Sequence, residues 1–119
     1  MNDKVSKSEE VDMFYRKCFV FVLDIIEYSE QLKKKKNNIL ANQILKTGTV
    51  LGENTNKLKN IEDSGNIEKT LNKTIKHIEK TKYLLNLCKY SQRYPNPDKL
   101  IFDLQELINL LTKIKKKWN

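Results

Sequence analysis

Apolar residues recur every three or four positions in four stretches of the chain, and short polar breaks separate them. That period is the mark of amphipathic helices. In the first stretch, about Val11 to Leu32, a step of about 100° per residue puts Val11, Phe14, Cys18, Phe21, Val22, Ile25, Tyr28 and Leu32 on one face. A second stripe, Tyr15, Phe19, Leu23 and Ile26, runs beside it, so the apolar arc covers more than half of the circumference. A helix buried on one side of a bundle needs a narrower stripe, and the surplus predicts a further partner.

The second stretch, about Ile39 to Asn60, aligns Leu40, Ile44, Thr47, Leu51 and Leu58. Beside them lies a face of small residues, Ala41, Gly48, Gly52 and Thr55. Glycine inside a helix costs about 1 kcal/mol relative to alanine, so two of them one turn apart predict close approach by another helix. The third stretch, about Asn66 to Tyr90, buries Ile67, Leu71, Ile75, Ile78 and Leu85. On its other side Lys69, Lys73, Lys76 and Lys80 follow at spacings of 4, 3 and 4, forming one basic ridge with Tyr83 at its edge. The fourth stretch carries Leu100, Leu104, Leu107, Leu111, Ile114 and Trp118, widened by Ile101 and Ile108. Phe102 projects away from that stripe, as a contact surface or as one of the scattered apolar residues that any surface exposes.

The breaks carry the chemistry of helix ends. Lys33 to Asn38 closes the first helix with cations that suit its free carbonyls. Asp63 or Ser64 is placed to cap the third helix, and Asn96 with Pro97 and Asp98 opens the fourth. Short connections place successive helices antiparallel, which predicts an all-α, up-down-up-down four-helix bundle over residues 11–119, preceded by a polar tail over 1–10. In that topology the lysines at 33–36 and 115–117 lie at opposite ends, so one subunit cannot join them into a single clamp.

Composition narrows the class further. A chain of 119 residues with 39% hydrophobic and 32% charged residues, three Gly and two Pro fits one helical domain and excludes a disordered chain. The polar start lacks a secretory signal, and the longest apolar run, Cys18 to Ile26, is too short to span a bilayer and contains Asp24. A cytoplasmic location and no membrane partner are expected.

The net charge of +8 is uneven: residues 1–32 carry −3, and the basic excess begins at Lys33. Such a field attracts nucleic acid or another polyanion. Against this, only Arg16 and Arg93 of the 23 basic residues are arginine, the residue best suited to bidentate recognition. The ridge is therefore open to two readings, a nucleic-acid contact through Lys46, Lys69, Lys73, Lys76 and Lys80, or a solvated helix face. Ordinary faces interleave acids four residues away, and the ridge has none in register.

Chemistry of other kinds is missing from the pattern. Cys18 and Cys88 match no ligand or redox spacing and read as reduced core residues, and His77 has no cluster to join and reads as a surface or boundary residue. No nucleophile elbow, phosphate loop, dinucleotide fingerprint or zinc motif occurs. The core positions offer no inward Glu and Glu-x-x-His sets for a metal pair. A non-enzyme without cofactor or metal is expected.

The stretch Gln43 to Asn54, with its Gly48-Thr49-Val50-Leu51-Gly52-Glu53-Asn54 core, resembles the signature of the bacterial four-helix bundle proteins encoded within intervening sequences of 23S ribosomal RNA genes. The run Glu79-Lys80-Thr81-Lys82-Tyr83-Leu84-Leu85 is similar to that family's third-helix pattern, and the likeness covers roughly Met13 to Ile114. Asn56 and Lys57 depart from it, standing where members often carry an Arg-Glu type pair. The resemblance implies an antiparallel bundle assembling as a homopentameric ring. More distantly the chain is similar to the accessory variability determinant protein of diversity-generating retroelements, a pentameric basic barrel that binds a reverse transcriptase and RNA. Self-association would give Phe19, Leu23, Ile26, Gly48, Gly52 and Phe102 a subunit to pack against. The sequence thus leads to a homo-oligomeric scaffold that binds RNA or a ribonucleoprotein partner, with a protein-interaction module lacking nucleic-acid binding as the alternative.

Overall fold

The computed structural model describes residues 3–60 and 64–118. They form helices α1 (Asp3–Lys34), α2 (Asn38–Lys59), α3 (Ser64–Lys89) and α4 (Asp98–Trp118), with no strand among the described residues. α1 packs on α2 and α4, and α3 packs on the same two helices. Among the described residues the backbones of the diagonal pairs, α1 with α3 and α2 with α4, stay apart, and Tyr28 of α1 meets Cys88 of α3 only through its side chain, so the helices follow chain order around a bundle of 51 × 20 × 18 Å.

The core is the set of periodic positions. Phe14, Phe21, Ile25 and Leu32 of α1 meet Ile44, Leu51 and Leu58 of α2, and Ile67, Leu71, Ile78 and Leu85 of α3 join Leu104, Leu107 and Leu111 of α4. Val22, Leu40 and Ile75 sit at the edge of this core, half-buried. Thr74 and Thr81 of α3 are also fully buried, although the apolar count passes over them. Each hydroxyl donates to the carbonyl one turn earlier, of Thr70 at 2.7 Å and of His77 at 2.8 Å. The polar atom is thereby satisfied within its own helix and the methyl is left for packing.

Two boundaries differ from expectation. α1 begins at Asp3, so residues 3–10 continue the helix rather than forming a polar tail. That segment lacks apolar period but also lacks a breaker, and the Glu10 carboxylate pairs with the Lys117 ammonium at the end of α4. Pro97 directly precedes α4: its carbonyl accepts from the Ile101 N–H, and the Asn96 side chain accepts from Asp98 N at 2.9 Å. Asp63 and the side chain of Trp118 lie outside the described residues.

The turn between α1 and α2 is tightly specified. Asn37 N donates to Leu32 O at 3.2 Å and Lys36 N to Lys33 O at 2.9 Å, the paired bonds of a Schellman closure. Its left-handed position, normally a glycine, is Lys36 with φ 63°. Asn37 then caps α2 by accepting from Leu40 N at 3.1 Å, while its amide donates to the Tyr94 hydroxyl at 2.6 Å. With Tyr28 donating to Pro95 O at 2.7 Å, the α1–α2 turn and the α3–α4 loop form one end of the bundle.

Candidate functional site

Two surfaces have the chemistry to meet a partner, and they belong to diagonal helices. The first is the second stripe of α1, where Phe19 is 59% exposed and Leu23 53%, with Ile26 beside them. Phe19, Leu23, Val22 and Tyr15 form one wall of a groove of about 220 Å³, closed on the α2 side by Gly52 and Thr55. The Lys59 ammonium covers the Tyr15 ring at 4.3 Å from its centroid. Apolar residues fill the whole turn from Cys18 to Leu23, so a helix of this kind is normally covered on every side.

Gly48 does not join that surface, which corrects its assignment to a subunit interface. It is buried inside the chain, where an added Cβ would lie 2.7 Å from Ile25 Cγ2. The small residue is thus needed by α1 of the same chain. Gly52, one turn on, faces Val22 Cγ2 at 3.5 Å and opens to the groove. Phe102, 64% exposed, stands apart on α4.

The second surface is the outward side of α3. Lys69, Lys73, Lys76 and Lys80 are all exposed, as is Lys46 on the adjacent α2. None of the five forms an ion pair among the described residues. The pairs that do form, such as Lys89 with Asp98 at 3.1 Å and Lys99 with Asp103 at 3.0 Å, lie on other faces and are solvent-exposed. His77, on α3, is half-buried and its Nδ1 is enclosed without a hydrogen-bond partner. Beyond α3, the end of the bundle holds a cleft lined by Lys35, Lys36, Asn37, Gln92, Arg93 and Tyr94, with no carboxylate among its walls. Sequence reading misses this cleft because two loops far apart in the chain build it.

The thiols are interior groups. Burial pushes Cys18 up to about 11, while a hydrogen bond from the Thr55 hydroxyl at 3.1 Å acts in the other direction. Cys88 is likewise raised by burial, and Tyr28 beside it is raised for the same reason. Such thiols are protonated at neutral pH and make poor nucleophiles. Among the described residues no group of three His, Cys, Asp or Glu side chains is placed to hold a metal, and no helix is long and apolar enough to cross a membrane.

Neither a protein-family model nor a curated protein matches the chain. Among solved structures, a protein of unknown function from the S23 ribosomal protein family of Bacteroides thetaiotaomicron VPI-5482 is similar over 90% of this chain and 98% of that chain, with a TM-score of 0.82 and 23% identity. At that identity the likeness is one of fold, and it is the four-helix bundle that the two chains share.

Proposed function

We propose that this protein is a non-enzymatic, homo-oligomeric scaffold that binds RNA, free or within a ribonucleoprotein, through the basic face of α3 and Lys46. The observation that carries the reading is the diagonal placement of its two surfaces. α1 offers exposed Phe19, Leu23 and Ile26, α3 offers an unpaired line of lysines, and the two helices lie across the core from one another with their backbones apart among the described residues. Copies that associate through α1 therefore leave the lysines facing outward. The resemblance to the intervening-sequence proteins makes a pentamer the expected assembly, and the neighbour's place in a family named for a ribosomal protein supports an RNA context. Cytoplasmic location follows the same reading.

Filter binding to mixed RNA over a salt series tests the nucleic-acid half. Wild type should lose affinity steeply with salt, and a variant with Lys46, Lys69, Lys73, Lys76 and Lys80 changed to Glu should not bind. Equal affinity of the two proteins would remove RNA from the account. Light scattering tests assembly: a monodisperse monomer at micromolar concentration would leave α1's apolar face to a foreign protein. Phe102, exposed and away from the α1 groove, favours that second reading, a protein-interaction module whose lysines are only solvated.

A further inference from the structure

The outward line of α3 continues past its lysines. With the same alternation of four and three residues, Lys69, Lys73, Lys76 and Lys80 are followed by Tyr83, Leu87 and Tyr90. Tyr90 directly follows α3 and keeps its helical bond, its N–H donating to Asn86 O at 3.2 Å. Tyr83 is 63% exposed and Tyr90 88%, with Leu87 between them at 43%. From Lys69 to Tyr90 the line is about 32 Å long at 1.5 Å per residue. Three residues further along the chain, Arg93 enters the carboxylate-free cleft that Lys35 and Lys36 share.

A solvated face has no need of two tyrosines and a leucine held in water in register with four lysines. A single nucleic-acid strand suits lysines and tyrosines in one line, because cations follow the backbone and aromatic faces take the rings. Bases in a duplex are stacked on one another and offer no face to a side chain, whereas an unpaired strand does. The line is also one side chain wide, which suits one backbone better than two.

We infer that this face is a track for single-stranded RNA. Lys69, Lys73, Lys76 and Lys80 lie along its phosphates, Tyr83 and Tyr90 are stacking platforms, and the cleft at Arg93 takes a phosphate beyond the last stacked base. The inference rests on the RNA-binding reading above and narrows its substrate to unpaired strands.

Fluorescence anisotropy on the full chain tests it with short oligoadenylate and with an RNA hairpin of equal length. The single strand should bind about tenfold tighter than the hairpin, and Tyr83→Ala and Tyr90→Ala should each weaken it about tenfold while leaving hairpin affinity unchanged. Tyr90→Phe, which keeps the ring, should retain binding. Arg93→Ala should lower the salt slope by about 0.7. Unchanged circular dichroism and melting of these surface variants exclude misfolding as the cause. Tyrosine variants that bind like wild type, or a hairpin that binds as well as the single strand, would overturn the track and leave general RNA binding in place. A wild type that binds neither probe would overturn both, and would favour a protein partner for the Tyr83–Tyr90 patch.

Discussion

Alanine at Gly48 should destabilise this protein, against the usual sign for a helix interior. Replacing glycine by alanine within a helix ordinarily gains about 0.5–1 kcal/mol from backbone entropy and propensity. Here the new Cβ would sit 2.7 Å from Ile25 Cγ2 and 3.4 Å from Ile25 Cβ. Ile25 is fully buried and β-branched, and in a helix such a side chain has one strongly preferred χ1 rotamer, so it cannot swing clear. α1 and α2 must part instead, and overpacking of this kind costs about 1–3 kcal/mol, which after the propensity gain leaves a net loss of up to about 2.5 kcal/mol. Gly52 is the internal control, because its added Cβ would meet only Val22 Cγ2 at 3.5 Å, an ordinary contact. Gly52→Ala should keep the propensity gain and stabilise by about 0.5–1 kcal/mol. Urea denaturation followed by far-UV circular dichroism, at one fixed protein concentration because association shifts apparent stability, separates the two variants. Ile25→Leu removes the Cγ2 methyl at nearly constant volume, so in the Gly48→Ala background it should cost less than in wild type. A Gly48→Ala protein stabilised as much as Gly52→Ala would refute the reasoning, since it would mean that the helix pair separates without cost.

Two further outcomes follow from the turn and from the thiols. Lys36→Gly should stabilise the fold by about 1 kcal/mol, because an L-residue at φ 63° is strained where glycine is not; an unchanged or lower denaturation midpoint would count against the Schellman geometry. Stability should also fall between pH 9 and pH 11, because the unfolded chain releases the Cys18 proton near its ordinary value of 9.0 while the folded thiol holds it until about 11. The group's contribution is therefore complete below 9 and lost as pH rises through 11, about 2–3 kcal/mol for a shift of that size. Cys18→Ala should flatten that part of the pH curve, and identical curves for variant and wild type would show that Cys18 is not the group responsible.

The helices and most of the core were legible in the period of apolar residues, and so was the surplus face of α1, because Phe19 and Leu23 fall outside the arc that α2 and α4 can cover. What escaped has physical causes. Thr74 and Thr81 count as polar by residue type, yet a hydroxyl bonded to its own helix behaves as a small apolar group toward the core. Gly48 announced a close approach without naming the approaching helix, and only the packing shows that Ile25 of the same chain fills the space. The start of α1 at Asp3 is set by the absence of a breaker, a weaker signal than an apolar stripe. Tyr90 and Arg93 lie at and beyond a helix end, where periodicity stops carrying information, and Arg93 meets Lys35 only because two loops close the same end of the bundle.

Opposed responses to salt separate the two proposed surfaces in one titration series. A chain of net charge +8 repels its own copies, so raising the salt should strengthen association through the apolar face of α1 by screening that repulsion. RNA binding should move the other way: five neutralised phosphates, at Lys69, Lys73, Lys76, Lys80 and Arg93, give a slope of about −3.5 for a single strand, or about a hundredfold weaker binding for a fourfold rise in salt. Sedimentation equilibrium and anisotropy on the same samples measure both. The two equilibria are also linked, because RNA on α3 cancels part of the charge that keeps the copies apart. Assembly should therefore tighten when RNA is present, and RNA affinity should rise with protein assembly by the same factor. Association that weakens with salt in step with RNA binding would mean that ionic pairs hold the copies together, and the exposed Phe19, Leu23 and Ile26 would then need a different occupant.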